Sequence, residues 1–182
     1  MVTAIKKDKM SPLYKLDNQP KVHSSAFVAP NACLIGSVSV EADASIWFNT
    51  VVRADINSIY IGQGTNIQDG CMLHVTHSLS LTVGERVTVG HGAILHGCHI
   101  EADCLVAMGA IVLDGARIGA HSIVAAGSLV TPGTQVPPGS LVMGVPAKVV
   151  RQVKPGDREM IERGAANYIG YKELYKQKLE EV

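Results

Sequence analysis

Branched apolar residues recur every six positions along most of this 182-residue chain. They stand at Val22, Val28, Leu34, Val40, Ile46 and Val52, then at Ile61, Ile67 and Leu73, then at Val83, Val89 and Leu95. A last run links Ile100, Val106, Val112, Ile118, Val124, Val130, Val136 and Val142. Four places after most of them sits a small or thin residue, as at Ala44, Thr50, Thr65, Cys71, Ala93, Cys104, Ala110 and Ala116. Glycine often follows directly, as in Ile61-Gly62, Val83-Gly84, Val89-Gly90 and Ile118-Gly119. One large and one small inward residue per six fits neither the alternation of a plain strand nor the period of a helix. It describes short strands joined by tight turns, with the small residue letting the chain bend at a crowded corner. Three such sides close an 18-residue triangular coil, and coils stack at about 4.8 Å through ladder hydrogen bonds.

The pattern resembles the hexapeptide-repeat family, whose fold is a left-handed parallel β-helix. That resemblance implies an all-β solenoid over about residues 20–150, after an N-terminal segment of residues 1–19. Composition agrees: hydrophobic residues reach 47% but aromatics only 4%, as a core of small branched side chains requires. Pro-rich punctuation around Pro132, Pro137, Pro138 and Pro146 closes the coil. Beyond Pro155-Gly156, residues 155–182 form the C-terminal unit, with Asp157 as N-cap of an α-helix expected over Asp157–Glu181. Its stripe of Ile161, Ala165, Tyr168, Tyr171 or Lys172, and Tyr175 is expected to pack on the solenoid.

Three breaks in the period carry information. Val52 to Ile61 is nine residues, Leu73 to Val83 is ten, and Leu95 to Ile100 is five. The surplus residues are expected to leave the coil as loops at Asp55–Tyr60 and Val75–Thr82, and loops on a rigid scaffold are favoured places for function.

The register also sorts the seven histidines. His74 follows Leu73 and His96 follows Leu95, so both hold the same slot. They are 22 apart, which is one 18-residue coil plus the four-residue insertion. Stacked at about 4.8 Å, two imidazoles can both reach a metal at about 2.0–2.1 Å. Arg53 precedes His74 by 21, or 18 plus 3, and joins that column. Asp69 and His91 are again 22 apart and share a second column, with Gln68 and Asp55 nearby. His91 lies five residues before His96, an extended path of roughly 16 Å. That is long for two imidazoles sharing one ion, though a corner would shorten it; alternatively a neighbouring subunit could supply His91, with the metal between chains.

The set Arg53-Ala54-Asp55, Asn66-Ile67-Gln68-Asp69, His74, and His91 followed by His96 closely resembles the γ-class carbonic anhydrase family. The resemblance implies a homotrimer with interfacial metal sites, His74 and His96 from one chain and His91 from the next. It implies zinc, with iron or cobalt as alternatives, and carbon dioxide and bicarbonate as substrate and product. Three neutral ligands leave zinc its charge and an open position, so bound water ionises near neutral pH and the hydroxide attacks carbon dioxide. By the same resemblance Gln68 hydrogen-bonds the metal-bound water or hydroxide and Arg53 pairs with Asp69 across the interface. Asp55 is structural, and Tyr168 is the counterpart of an active-site tyrosine.

Long members of that family carry a glutamate after the residue matching Asp55 and another on an acidic loop. This chain has Ile56 and the acid-free stretch Val75–Thr82 instead. His77 is the one titratable group there and is the candidate proton relay, an ordinary loop histidine being the alternative. Rival functions on the same scaffold are acyl transfer from acyl-CoA, thioester hydrolysis, and a scaffold role in a larger assembly.

Sixteen acids balance sixteen bases, which gives no electrostatic basis for nucleic-acid or polybasic membrane binding. No run approaches a spanning helix and the first residues lack the apolar stretch of a signal peptide; Met10 could equally begin the chain. The four cysteines form no CxxC pair, so buried thiols in a cytoplasmic protein are expected.

Overall fold

A computed structural model describes residues 18–178; residues 1–17, most of the expected N-terminal segment, and 179–182 lie outside the described residues. The chain winds as a left-handed β-helix with three faces, and parallel strands of successive coils pair directly. On the first face stack Met72–His74, Ile94–His96, Ile111–Val112 and Leu129–Val130. On the second stack Leu81–Val83, His99–Ile100, Arg117–Ile118 and Gln135–Val136. The third runs from Phe27–Val28 to Ser140–Gly144 and is closed by the antiparallel strand Ala147–Gln152. The long strands Cys33–Val40 and Val51–Ile61 turn the corner between the first two faces.

The period of six is the core. From Val40 to Val142 every large inward residue it marks is 5% exposed or less, and Thr50, Thr65, Cys71, Ala93, Cys104, Ala110 and Ala116 are buried beside them. Where the small residue is polar, its group bonds to the next coil: the Thr50 hydroxyl donates to the Gln68 carbonyl at 2.7 Å and that of Thr65 to Gly84 at 2.6 Å. Buried polar groups are thereby satisfied. The glycine after the inward residue answers to a different constraint. A Cβ at Gly84 would stand 2.7 Å from the Ala102 nitrogen and one at Gly62 2.6 Å from the Gly84 carbonyl carbon. Successive coils approach too closely there for any side chain. Cys71, Cys98 and Cys104 are buried free thiols; burial pushes their pKa values up, to about 11 for Cys71 and about 12 for the other two.

Both expected loops are narrower than the spacing implied. Val51–Ile61 is one continuous strand. Its pairing slips between Gly36, opposite Ala54, and Ser37, opposite Ser58, so the surplus is a bulge of Asp55, Ile56 and Asn57. Ile59, 1% exposed, has returned to the core, and burying it favours a bulge over a free loop. In the second insertion Val75 and Leu81 are fully buried, leaving Thr76–Ser80 outside. The Asn57 side chain ties the two together by donating to the carbonyls of Thr76 at 3.1 Å and His77 at 3.3 Å.

The C-terminal helix spans Pro155–Lys178 and packs on the third face against Ser45–Ile46, Asn66–Ile67 and Thr88–Val89. It starts two residues earlier than expected. Asp157 is in the first turn, not at the N-cap: its carboxylate accepts the Lys154 backbone N–H at 2.8 Å, the acidic half of a capping box with proline in first position. Arg151 and then that N–H hold the Asp157 carboxyl at about 2. Ile161 and Ala165 are buried as expected, and Lys172 rather than Tyr171 continues the stripe. Its ammonium reaches Asp43 at 3.1 Å and pairs with Glu173. Phe27 and Trp47 form a separate aromatic cluster beneath the helix, which sets Tyr168 and Tyr175 against Trp47 as the stripe implied.

If the six-residue ladder carries stability, Ile118→Ala, at a fully buried position, should cost about 2–5 kcal/mol. Arg117→Ala next to it removes an exposed ion pair with Glu101 and should cost about 1 kcal/mol or less. Denaturant unfolding of both variants measures the difference.

Candidate metal centre

Strand register builds the first half of the site. Arg53 lies opposite His74 and His74 opposite His96, the single column inferred from spacing. The two imidazoles stand 5.1 Å apart centre to centre, inclined at 50°, with His74 Nδ1 3.0 Å from His96 Nε2. The outer nitrogens face carboxylates: His74 Nε2 is 3.0 Å from Asp55 Oδ1, and His96 Nδ1 is 2.6 Å from Asp114 Oδ1. Asp55 is also hydrogen-bonded by Arg53. Burial opposes its charge, but the bonds from Arg53 and His74 outweigh that and hold its carboxyl below the usual carboxylate range.

The second half lies at the corner between the third and first faces. Asp69 and His91 occupy successive coils, the Gly92 N–H bonding the Asp69 carbonyl at 2.9 Å. His91 Nδ1 is 2.9 Å from Asp69 Oδ2. Gln68 is buried and engaged at both ends: its Oε1 accepts the His91 backbone N–H at 3.2 Å, and its Nε2 donates to Asn66 Oδ1 at 3.1 Å. Asn66 in turn donates to Thr88 Oγ1 at 2.9 Å. Tyr168 packs edge-on against Trp47, ring centres 5.2 Å apart. Burial first, and then the charge of Asp69, push its phenol pKa up. Within the chain Arg53 pairs with Asp55 and Asp69 with His91, so no Arg53–Asp69 contact forms inside one chain. His77 is exposed on the Thr76–Ser80 loop.

The three histidines share a feature that spacing does not reveal. Each has a carboxylate oxygen within 3.0 Å of one ring nitrogen; among the described residues the next such pair, His121 with Asp103, is at 3.9 Å. A carboxylate accepts a hydrogen bond from the ring N–H it faces, which fixes that tautomer and leaves the other nitrogen as a lone pair, the state a metal ligand needs. At His74 and His96 those lone pairs point at one another across 3.0 Å. Such an arrangement requires a proton or a cation between them. Two nitrogens held tetrahedrally by zinc would stand about 3.3 Å apart, so the pair fits a metal with little movement. Among the described residues of one chain, no group of three or more His, Cys, Asp or Glu side chains is arranged to hold a metal ion. The chain itself brings two imidazoles together and carries the third elsewhere.

Asp114 and the Asn66–Thr88 link escaped the reading of the sequence. Asp114 stands 18 residues after His96, in the turn Leu113-Asp114-Gly115, but the coil there is 17 residues long, so it falls one place past the His96 column.

A stacked three-sided coil of six-residue rungs defines a hexapeptide-repeat protein, and comparison with known proteins agrees. A family model described as Bacterial transferase hexapeptide (six repeats) matches residues 97–132. A probable carbonic anhydrase of Methanocaldococcus jannaschii is 47% identical over 78% of this chain and 89% of its own length. Mitochondrial gamma carbonic anhydrase 2 of Arabidopsis thaliana is 42% identical over 87% of the chain, which spans only 59% of that relative. The crystal structure of a hexapeptide transferase family protein from Anaplasma phagocytophilum superposes with a TM-score of 0.83 at 42% identity, covering 86% of this chain and 92% of that one. The chain belongs to the γ-class carbonic anhydrase family. No helix among the described residues is long and apolar enough to cross a membrane.

Replacing Gln68 with leucine leaves the His91 backbone N–H and the side-chain Oδ1 of Asn66 without their partners. Gln68→Leu should therefore cost about 1–3 kcal/mol in denaturant unfolding of metal-free protein, independently of any catalytic part Gln68 plays.

Proposed function

We propose that this protein hydrates carbon dioxide to bicarbonate at a metal site between subunits of a homotrimer, with His74 and His96 from one chain and His91 from its neighbour. The observation that carries the reading is the carboxylate beside one ring nitrogen of each of these three histidines, which leaves the other free to ligate. A nitrogen-only donor set suits zinc, and iron(II) or cobalt(II) as well. The trimer is supported by the surface between the half-sites. Val51, Met72, Ile94, Ile111 and Leu129 stack outward along the first face, and Met72 and Ile94 are 48% and 38% exposed. A second copy seated on this apolar column would cover it while bringing its own His91 towards His74 and His96.

A metal held by His74, His96 and the neighbouring chain's His91 would supply Lewis acidity and a water acidic enough to ionise near neutral pH. The chain's own residues hold the geometry. Asp55, braced by Arg53, orients His74, and Asp69 orients His91. Gln68 keeps one amide hydrogen uncommitted, available to an oxygen of substrate or water. Arg53 is half-exposed and is assigned to meet Asp69 of the adjoining chain, with Tyr168 closing the apolar side. Each turnover releases one proton. With no carboxylate at Ile56 or on the Thr76–Ser80 loop, His77 is the group assigned to carry it to solvent. The free buried thiols of Cys71, Cys98 and Cys104 support a reducing compartment, the cytoplasm.

The experiment is metal content and carbon dioxide hydration of protein purified with and without oxygen, run in weak and in imidazole-rich buffer. A trimer is expected to carry about one metal per chain and to hydrate carbon dioxide faster as imidazole rises. His77→Ala should lower turnover in weak buffer alone, with metal content unchanged. A fully metallated trimer that hydrates no carbon dioxide but turns over an acyl-CoA would favour acyl transfer or thioester hydrolysis. Absence of both activities would favour a scaffold role.

A further inference from the structure

We propose that Asp114 is a positioning residue of the metal centre: by accepting a hydrogen bond from His96 Nδ1–H it fixes Nε2 as the nitrogen that faces His74. The inference rests on the site reading above and adds to it a residue outside the arginine, aspartate, glutamine and histidine set.

The geometry is specific. Asp114 Oδ1 lies 2.6 Å from His96 Nδ1, the shortest of the three carboxylate–histidine approaches. The carboxylate comes from the next coil, where the Gly115 N–H bonds the Gly97 carbonyl at 2.8 Å and fixes the turn that carries it. Gly97 makes the approach available. It has φ +50°, and a Cβ there would stand 2.7 Å from Asp114 Oδ1 and 3.2 Å from the Leu79 Cβ. Any side chain at that position would displace the carboxylate from His96.

The charge is as telling as the distance. Asp55 faces His74 but also pairs with Arg53, so its charge is largely compensated. Among the described residues Asp114 pairs with no lysine or arginine, and His96 is its one ion-pair partner. The histidine pair therefore sits beside a carboxylate that no lysine or arginine neutralises, which favours a cation between the rings. Asp114 touches neither substrate nor the metal position; it acts through His96.

The test compares Asp114→Ala, Asp114→Asn and, as control, Asp103→Ala, whose carboxylate stands 3.9 Å from His121. Zinc affinity is measured by chelator competition on the full chain, with the visible spectrum of cobalt-loaded protein and the thermal unfolding of metal-free protein. Asp114→Ala is expected to weaken zinc about 10–100-fold and to shift the cobalt bands at saturating metal, with unfolding of the metal-free form unchanged. Asp114→Asn keeps an acceptor oxygen and should recover part of the affinity, and Asp103→Ala should match wild type. Wild-type affinity in Asp114→Ala overturns the inference and leaves the site intact. So does a loss of affinity tracked by an equal loss in metal-free stability. Failure of the wild type itself to bind zinc or cobalt overturns the site and the inference together.

Discussion

Everything at the site depends on the ladder between coils. Each rung places one branched side chain inward and passes its backbone hydrogen bonds to the coils above and below. That fixes the vertical spacing at about 4.8 Å and leaves little freedom in register, because a slip of one residue would turn every core side chain outward. A residue one coil after another therefore lies beside it in space. His74 and His96 meet because Leu73 and Leu95 are locked into the core directly beneath them. The contact between the imidazoles follows from burial of their neighbours.

On that frame, charge decides what the histidines can do. A neutral imidazole has one donor and one acceptor nitrogen, and which is which depends on the group facing it. Asp55, Asp69 and Asp114 make that choice for His74, His91 and His96. The scaffold supplies rigidity at low cost, since the polar groups stand on a core that needs none of them. The two bulges serve the same end. Asp55 reaches His74 from the bulge in Val51–Ile61, and Asn57 pins the Thr76–Ser80 loop alongside.

Much of this is legible in the sequence because the fold is a repeat. Period six gives the inward positions, and the arithmetic of 18, 21 and 22 gives both columns. Where the period breaks, spacing counts the surplus but does not say how the chain disposes of it. Ile59 was bound to return to the core, so Asp55–Tyr60 stayed a strand with three residues bulged out. Asp114 was hidden by the short rung between Leu95 and Ile100: Leu95 aligns with Val112, 17 residues on, so Asp114 falls one place off the His96 column and reaches back past Gly97. On the helix, periodicity alone did not choose between Tyr171 and Lys172. Asp43, waiting beneath the helix at 3.1 Å, makes burial of the lysine ammonium tolerable. The Asp157 capping role was shifted because Pro155 serves best in the first helical position.

The central claim is that one metal site is assembled from two chains. It is tested most directly by mixing two defective chains, His91→Ala and His96→Ala, unfolded together and refolded as mixed trimers. Each variant alone lacks a ligand in every site. In a mixed trimer, the His91→Ala chain can offer His74 and His96 to the intact His91 of a neighbouring His96→Ala chain, restoring about one site per trimer. Metal bound by the mixture, with neither variant alone retaining any, is the predicted result. A mixture as empty as its two parents would contradict the account, since a site built within one chain gains nothing from a partner.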